Sequence, residues 1–116
     1  MRVLLIGSGG REHALATALK RDSSLTELHV APGNPGIAQI ATCHVIDTKD
    51  NSAVISLAKN LKIDLVVVGP EAPLVNGLAD ACADENIPCF GPSKAAAQLE
   101  GSKDFAKQVM KEAGVP

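Results

Sequence analysis

Val3-Leu4-Leu5-Ile6 is an unbroken apolar run closed by Gly7, the pattern of a strand buried on both faces rather than on one. From about Arg11 to Lys20 the period changes: Ala14, Leu15, Ala18 and Leu19 fall on one face at helical spacing, which predicts a helix. Leu28–Ala31 reads as a second short strand stopped by Pro32-Gly33, Ile37–Ile40 as one helical turn, and Cys43–Ile46 as a third strand. Asp50 or Asn51 can cap a helix carrying Ala53, Val54, Leu57, Ala58 and Leu61, the cleanest amphipathic stripe in the chain. Ile63–Val68, the most β-branched segment, is expected to be a central strand. Leu74–Asp84 then reads as a helix and Pro88-Cys89-Phe90 as a short strand before Gly91-Pro92. Ser93 and Ser102 are placed to cap two further helices, the second with Phe105, Ala106, Val109 and Met110 on one face and ended by Gly114 and Pro116.

Strands alternating with helices in this way predict an α/β fold, a Rossmann-like parallel sheet with helices on both faces and right-handed crossovers. In such a sheet, ligands bind at the carboxyl ends of the strands. No internal repeat, low-complexity segment or linker interrupts the pattern.

A length of 116 residues suits one domain with one core. Aromatic residues make up only 2%, with no Trp or Tyr, so small aliphatic side chains must fill that core and no base-stacking platform is available. The net charge of −2 provides no broad basic field for nucleic acid or an anionic membrane, so neither is expected as a partner. Cys43, Cys82 and Cys89 lack metal-ligand or redox spacing and read as buried apolar thiols of a reducing compartment. Met1-Arg2 leads straight into the first strand without a signal-like segment, and no apolar run has membrane-spanning length; a cytoplasmic location is expected.

The chemistry concentrates in Gly7-Ser8-Gly9-Gly10-Arg11-Glu12-His13, between the first strand and helix. Glycines permit a tight turn and close approach of a ligand, the first helical N–H groups and the helix dipole favour an anion, and Arg11 adds a guanidinium fork. A dinucleotide fingerprint starting at Gly7 would need glycine at position 12 and an acid at the end of the second strand; the chain has Glu12 and Ala31-Pro32-Gly33. A carboxylate there would repel pyrophosphate but can accept hydrogen bonds from a sugar hydroxyl or an amine. His13 either lines the site or packs against the sheet. Asn34 and Glu71 follow later strands and can converge on the same cleft, although the first is equally a turn former and the second a helix N-terminal charge. By spacing alone, Lys94 and Lys103 are ordinary exposed lysines.

Four segments, Gly7–Ala16, Ala31–Asn34, Val67–Val75 and Ala96–Lys103, together resemble the N-terminal domain of the phosphoribosylamine–glycine ligase family, in order and across essentially the whole chain. The resemblance implies a pre-ATP-grasp domain of a purine-biosynthetic ligase that joins glycine to 5-phosphoribosylamine with ATP, giving glycinamide ribonucleotide, ADP and phosphate. It implies that Gly9, Gly10, Arg11 and Glu12 face the ribose phosphate, that Asn34, Glu71, Pro73 and Leu74 shape the same pocket, and that Lys103 approaches the ATP phosphates. No catalytic residue or metal ligand is expected in this chain. ATP and Mg²⁺ or Mn²⁺ are expected to serve the full-length enzyme, with no cofactor held tightly by residues 1–116. The division expected is 1–101 for the substrate-binding domain and 102–116 for the start of a connection to an ATP-grasp domain. Expected partners are the small-molecule substrates and the remaining domains of the same polypeptide, in a monomer; the isolated chain is expected to be inactive. The alternatives are a dehydrogenase dinucleotide-binding domain and a non-catalytic ligand-binding module.

Overall fold

The computed structural model describes residues 1–21, 25–69 and 77–90, with Arg11 and Phe90 described by their backbone. Within these residues β1 (Arg2–Gly7), β2 (Glu27–Pro32), β3 (Thr42–Cys43), β4 (Leu65–Val68) and β5 (Cys89–Phe90) form one parallel sheet in the order β3-β2-β1-β4-β5. Helices α1 (Gly10–Lys20), α2 (Asn51–Asn60) and α3 (Leu78–Asp84) accompany them, with a 3₁₀ turn at Ile37–Gln39. The Ser93 and Ser102 caps, the helix following Ser102 and the start of the helix expected from Leu74 lie outside the described residues.

Alternation within each buried strand divides the core into two layers. Val3, Leu5, Leu65 and Val67 meet Leu15, Ala16 and Leu19 of α1, together with Leu28, Val30 and Ile37. Leu4, Ile6, Val66 and Val68 meet Val54 and Ala58 of α2 and Leu78 and Cys82 of α3 on the other face. All four apolar residues of β1 from Val3 to Ile6 are fully buried, each contributing on the order of 1.5–3 kcal/mol of burial. The unbroken apolar runs therefore mean what they suggested, a parallel sheet covered on both sides. Among the described residues, no helix is long and apolar enough to cross a membrane.

Strand order decides where the cleft lies. The chain leaves β1 through α1 to β2 and then β3 on one side, and returns through α2 to β4 on the other. The two halves diverge between β1 and β4, which pair in register from Val3–Leu65 to Ile6–Val68. This is the switch point, the crevice in which open α/β sheets bind ligands.

Sequence expectations need correction at the third strand, in α1 and at two of the cysteines. The third strand is shorter than Cys43–Ile46: only Thr42–Cys43 pair with β2, and Val45 is 93% exposed. At a sheet edge a strand has one neighbour, and here pairing to β2 ends after His44 N donates to the Val30 carbonyl at 2.8 Å. The inward stripe of α1 is also rotated from the expected one. It comprises Glu12, Leu15, Ala16 and Leu19, at i, i+3, i+4 and i+7, while Ala14 is exposed and Ala18 only half-buried. Asp50, one of the two candidates, caps α2: its carboxylate accepts from Ser52 N at 2.9 Å and Ala53 N at 3.4 Å. Of the cysteines expected to be buried thiols, Cys82 is buried, whereas Cys43 and Cys89 are half-buried. A hydrogen bond with Cys82, together with burial, pushes the Cys89 thiol up, which keeps it protonated and unreactive.

On the α2 face of β2, His29 is only 7% exposed, and both its ring nitrogens are engaged. Nε2 lies 3.0 Å from Glu27 Oε1 and Nδ1 lies 2.9 Å from His44 Nε2, while Arg2 pairs with the other Glu27 oxygen at 2.9 Å. The contact between the two rings needs one nitrogen to donate and the other to accept, so it forms only while at least one of the rings is neutral. Burial, reinforced by His29, holds the His44 ring below its ordinary value of 6.5. The folded protein therefore binds a proton at His44 less readily than the unfolded chain, so stability present above pH 6.5 is expected to decline as the pH falls through that value. Urea midpoints measured one pH unit above and one below should differ in this sense, and His44→Gln should flatten the difference. Glu27 is also held below its ordinary 4.5, first by the His29 hydrogen bond and then by Arg2, so its contribution is lost only in a separate, more acidic range.

Candidate functional site

The carboxyl edge of the sheet brings the expected loops together as far as they are described. Gly7 pairs with Pro32 in register, and Gly33 N donates to the Gly7 carbonyl at 3.0 Å. Gly69 N donates to the Ile6 carbonyl at 2.8 Å, so β4 also ends beside β1. Asn34 ties the first two loops: its Nδ2 donates to the Ser8 carbonyl at 2.7 Å and its Oδ1 accepts from Ile37 N at 2.8 Å. Both ends of the amide are thus engaged inside the protein. Asn34 forms the turn and braces the cleft wall; the sequence alone had left open whether it converges on the cleft or only forms a turn.

At the β1–α1 loop, Gly9 takes the N-cap position and no side chain caps the helix. The first intrahelical bond runs from His13 N to the Gly9 carbonyl at 3.0 Å, which leaves the N–H groups of Gly10, Arg11 and Glu12 outside the helical ladder. A helix start of this kind, at the switch point and with the positive end of the helix dipole behind it, is suited to an anion. Gly10 adds open space, since a Cβ there would meet nothing within 4 Å.

Glu12 occupies the position that the loop motif alone left unexplained. Its side chain turns inward at the head of the α1 stripe, 8% exposed, and lies across the ends of β1 and β4. A Cβ on Gly7 would overlap Glu12 Cγ and Oε1, and one on Gly69 would lie 2.7 Å from Glu12 Cδ and 3.0 Å from Oε1. Gly7 further adopts φ +143, which L side chains rarely take. Both glycines therefore make room for one carboxylate. That side chain also fills the place where a dinucleotide fold has its third glycine, which explains in space why the dinucleotide pattern fails here.

His13, set aside as ambiguous, is exposed, and its ring borders the Pro32–Gly36 loop: a Cβ on Gly36 would be 3.0 Å from His13 Cε1. It thus lies against the second loop rather than the sheet. Glu71, Pro73, Leu74 and Lys103 lie outside the described residues, as does Lys94. Among the described residues no group of three His, Cys, Asp or Glu side chains could hold a metal ion. A separate open depression of about 370 Å³, bordered by Lys20, Thr26, Glu27 and Thr42, lies at the amino ends of β2 and β3, the edge opposite the loops.

A five-stranded parallel sheet with a glycine-rich loop and an uncapped helix at its switch point defines a Rossmann-like α/β domain. The family described as phosphoribosylglycinamide synthetase, N domain, matches residues 1–100, and the chain belongs to that family. The phosphoribosylamine–glycine ligase of Streptomyces coelicolor is 60% identical over 116 residues, covering 100% of this chain and 28% of the relative. That of Agrobacterium fabrum is 57% identical over 116 residues, covering 100% and 27%. Among solved structures, phosphoribosylamine–glycine ligase from Thermotoga maritima is 32% identical with a TM-score of 0.51, covering 98% of this chain and 25% of that one. Phosphoribosylglycinamide synthetase from Anaerococcus prevotii shares the fold at a TM-score of 0.62 and 21% identity, over 96% and 28% of the two chains. The chain thus spans less than a third of the length of these relatives.

Proposed function

We propose that this chain is the phosphoribosylamine-binding domain of an ATP-dependent ligase that joins glycine to 5-phosphoribosylamine in purine biosynthesis. The observation that carries the reading is the uncapped start of α1 at the β1/β4 switch point, in a chain belonging to the synthetase N-domain family. The 5-phosphate is received by the backbone N–H groups of Gly10 and its neighbours beside Gly9, and Arg11 supplies a charge-assisted fork. Glu12 lies deeper, Asn34 braces the wall, and Glu71, Pro73 and Leu74 complete the pocket. Residues 1–101 form this domain. Residues 102–116 lead toward an ATP-grasp domain, with Lys103 at the nucleotide phosphates.

ATP and Mg²⁺ or Mn²⁺ are assigned to the rest of the polypeptide, and they supply the activation of glycine's carboxylate. This domain's part is to hold the ribosyl phosphate so that the amine is presented in a fixed orientation, which is where ligases of this kind gain much of their rate. The whole protein is a cytoplasmic monomer in this reading. A dehydrogenase function lacks support, because the Glu12 carboxylate occupies the crevice that a pyrophosphate would approach.

The test compares residues 1–116 with the intact polypeptide, each supplied with glycine, ATP, Mg²⁺ and freshly generated phosphoribosylamine. ADP release that depends on both glycine and phosphoribosylamine is expected from the intact polypeptide and absent from the short chain. Comparable turnover by the short chain, or no dependence on phosphoribosylamine in the intact polypeptide, would overturn the assignment.

A further inference from the structure

Glu12 is only 8% exposed as a residue, and its carboxylate has no hydrogen bond or ion pair among the described residues. A carboxylate withdrawn from water normally gains partners, because leaving it without them costs more than almost any other side chain. Here the surroundings instead keep space around it. Gly7 and Gly69, at the ends of two adjacent strands, flank its stem, and Gly9 borders its outer side, where a Cβ would lie 3.6 Å from Oε2 and 3.8 Å from Oε1. Next to Gly9, the open side of Gly10 continues the same gap toward the uncapped helix start. An unpartnered acceptor therefore lies at the floor of the crevice, one helical turn or less from the N–H groups suited to an anion.

An ionised carboxylate can only accept hydrogen bonds, so it requires a donor and repels phosphate. If the phosphate is held at the helix start, which is the reading proposed above and on which this inference rests, the part of the ligand over Glu12 must be the ribosyl ring or its amine. The amine is the reacting atom and must point out of the domain toward the activated carboxyl group. The vicinal hydroxyls are not consumed, and they offer two O–H donors to the two carboxylate oxygens. We propose that Glu12 is the specificity-determining acceptor for the ribosyl hydroxyls, and that Gly7 and Gly69 are glycines so that it can reach them. The site therefore separates two tasks: main-chain N–H groups take the phosphate, and one buried carboxylate distinguishes a ribose from a sugar lacking a hydroxyl.

Titration calorimetry of the intact polypeptide with ribose 5-phosphate, 2-deoxyribose 5-phosphate and inorganic phosphate tests this. The wild type is expected to prefer ribose 5-phosphate over the deoxy sugar by about tenfold or more, since a site built around a hydroxyl rejects the analogue lacking it. Glu12→Ala should bring the two sugars to within about twofold, Glu12→Gln should reduce the preference, and inorganic phosphate should bind neither variant more weakly than the wild type, because only a repelling charge has been removed. Glu12→Gln preserves shape and carries the test if Glu12→Ala fails to fold. A Glu12 that only packs against the glycines would alter the melting temperature and leave the sugar ratio unchanged, which overturns the proposal. So would a wild type that binds both sugars equally, or a Glu12→Gln enzyme whose KM for phosphoribosylamine rises while its sugar preference stays intact, since that outcome puts the amine over Glu12. Failure of the wild type to bind any of the three ligands would remove the phosphoribosyl reading itself, and this inference with it.

Discussion

Gly7→Ala is expected to destabilise the protein by about 2–6 kcal/mol. Two costs combine. The new Cβ would overlap Glu12 Cγ and Oε1, an overpacking worth roughly 1–3 kcal/mol, and the residue would hold φ +143, a backbone strain of similar size. Gly69→Ala meets the same Glu12 side chain without a left-handed φ, so only the first cost of about 1–3 kcal/mol is expected there. The pair can be separated by repeating both substitutions in a Glu12→Ala background. Gly69→Ala should then become close to neutral, because the atoms it collides with are gone, whereas Gly7→Ala should retain its backbone part. Urea denaturation of the six proteins gives the coupling energies directly. If Gly69→Ala costs less than about 0.5 kcal/mol, the usual scale of an inconsequential surface change, or if neither cost falls in the Glu12→Ala background, the close approach of Glu12 to the strand ends is wrong.

Arg11→Ala is expected to lower kcat/KM for phosphoribosylamine by roughly 10- to 150-fold in the intact polypeptide, with KM for glycine and for ATP little changed. The range corresponds to about 1.5–3 kcal/mol, the scale of hydrogen bonds to charged groups. Arg11 is the second residue of α1, directly after Gly10 at the uncapped start, where the N–H groups and helix dipole already favour an anion. Because glycine and ATP are assigned to other domains, a loss confined to the phosphorylated substrate is the informative result. Arg11→Lys should recover only part of the activity, since an ammonium cannot form the planar two-bond fork. Unchanged kinetics for phosphoribosylamine would mean that main-chain groups alone bind the phosphate.

These two expectations draw on different sources. The anion site beside Arg11 is legible in Gly7-Ser8-Gly9-Gly10-Arg11 as a string, because a glycine-rich turn between an apolar run and a helix has local physics that needs no distant contact. The glycine argument is not. Gly69 was legible only as punctuation after Val66-Val67-Val68, and nothing in its neighbours says that a side chain from α1 lies against it. A signal for the Glu12 burial did exist: Glu12 falls at helical spacing with Leu15, Ala16 and Leu19, but the small Ala14 and Ala18 drew the apolar stripe to a neighbouring face. Alanine marks a helix face weakly because it is tolerated both buried and exposed.

By itself the sequence determined the kind of sheet and the edge at which its glycine-rich loops gather. Unbroken runs such as Val3–Ile6 and Leu65–Val68 can be satisfied only by apolar layers on both sides, and a Gly or Pro after each ends the strand where a loop must begin. These are local demands, set within a few residues. Only the tertiary structure decided the order β3-β2-β1-β4-β5, which places the switch point between β1 and β4, the early end of β3 beyond Cys43, and the pairing of His29 with His44. It alone set the Glu12 carboxylate between Gly7 and Gly69. Those features depend on which segments become neighbours after the chain crosses over the sheet, and that choice is made by the packing of whole helices on whole strands rather than by the preferences of any one stretch.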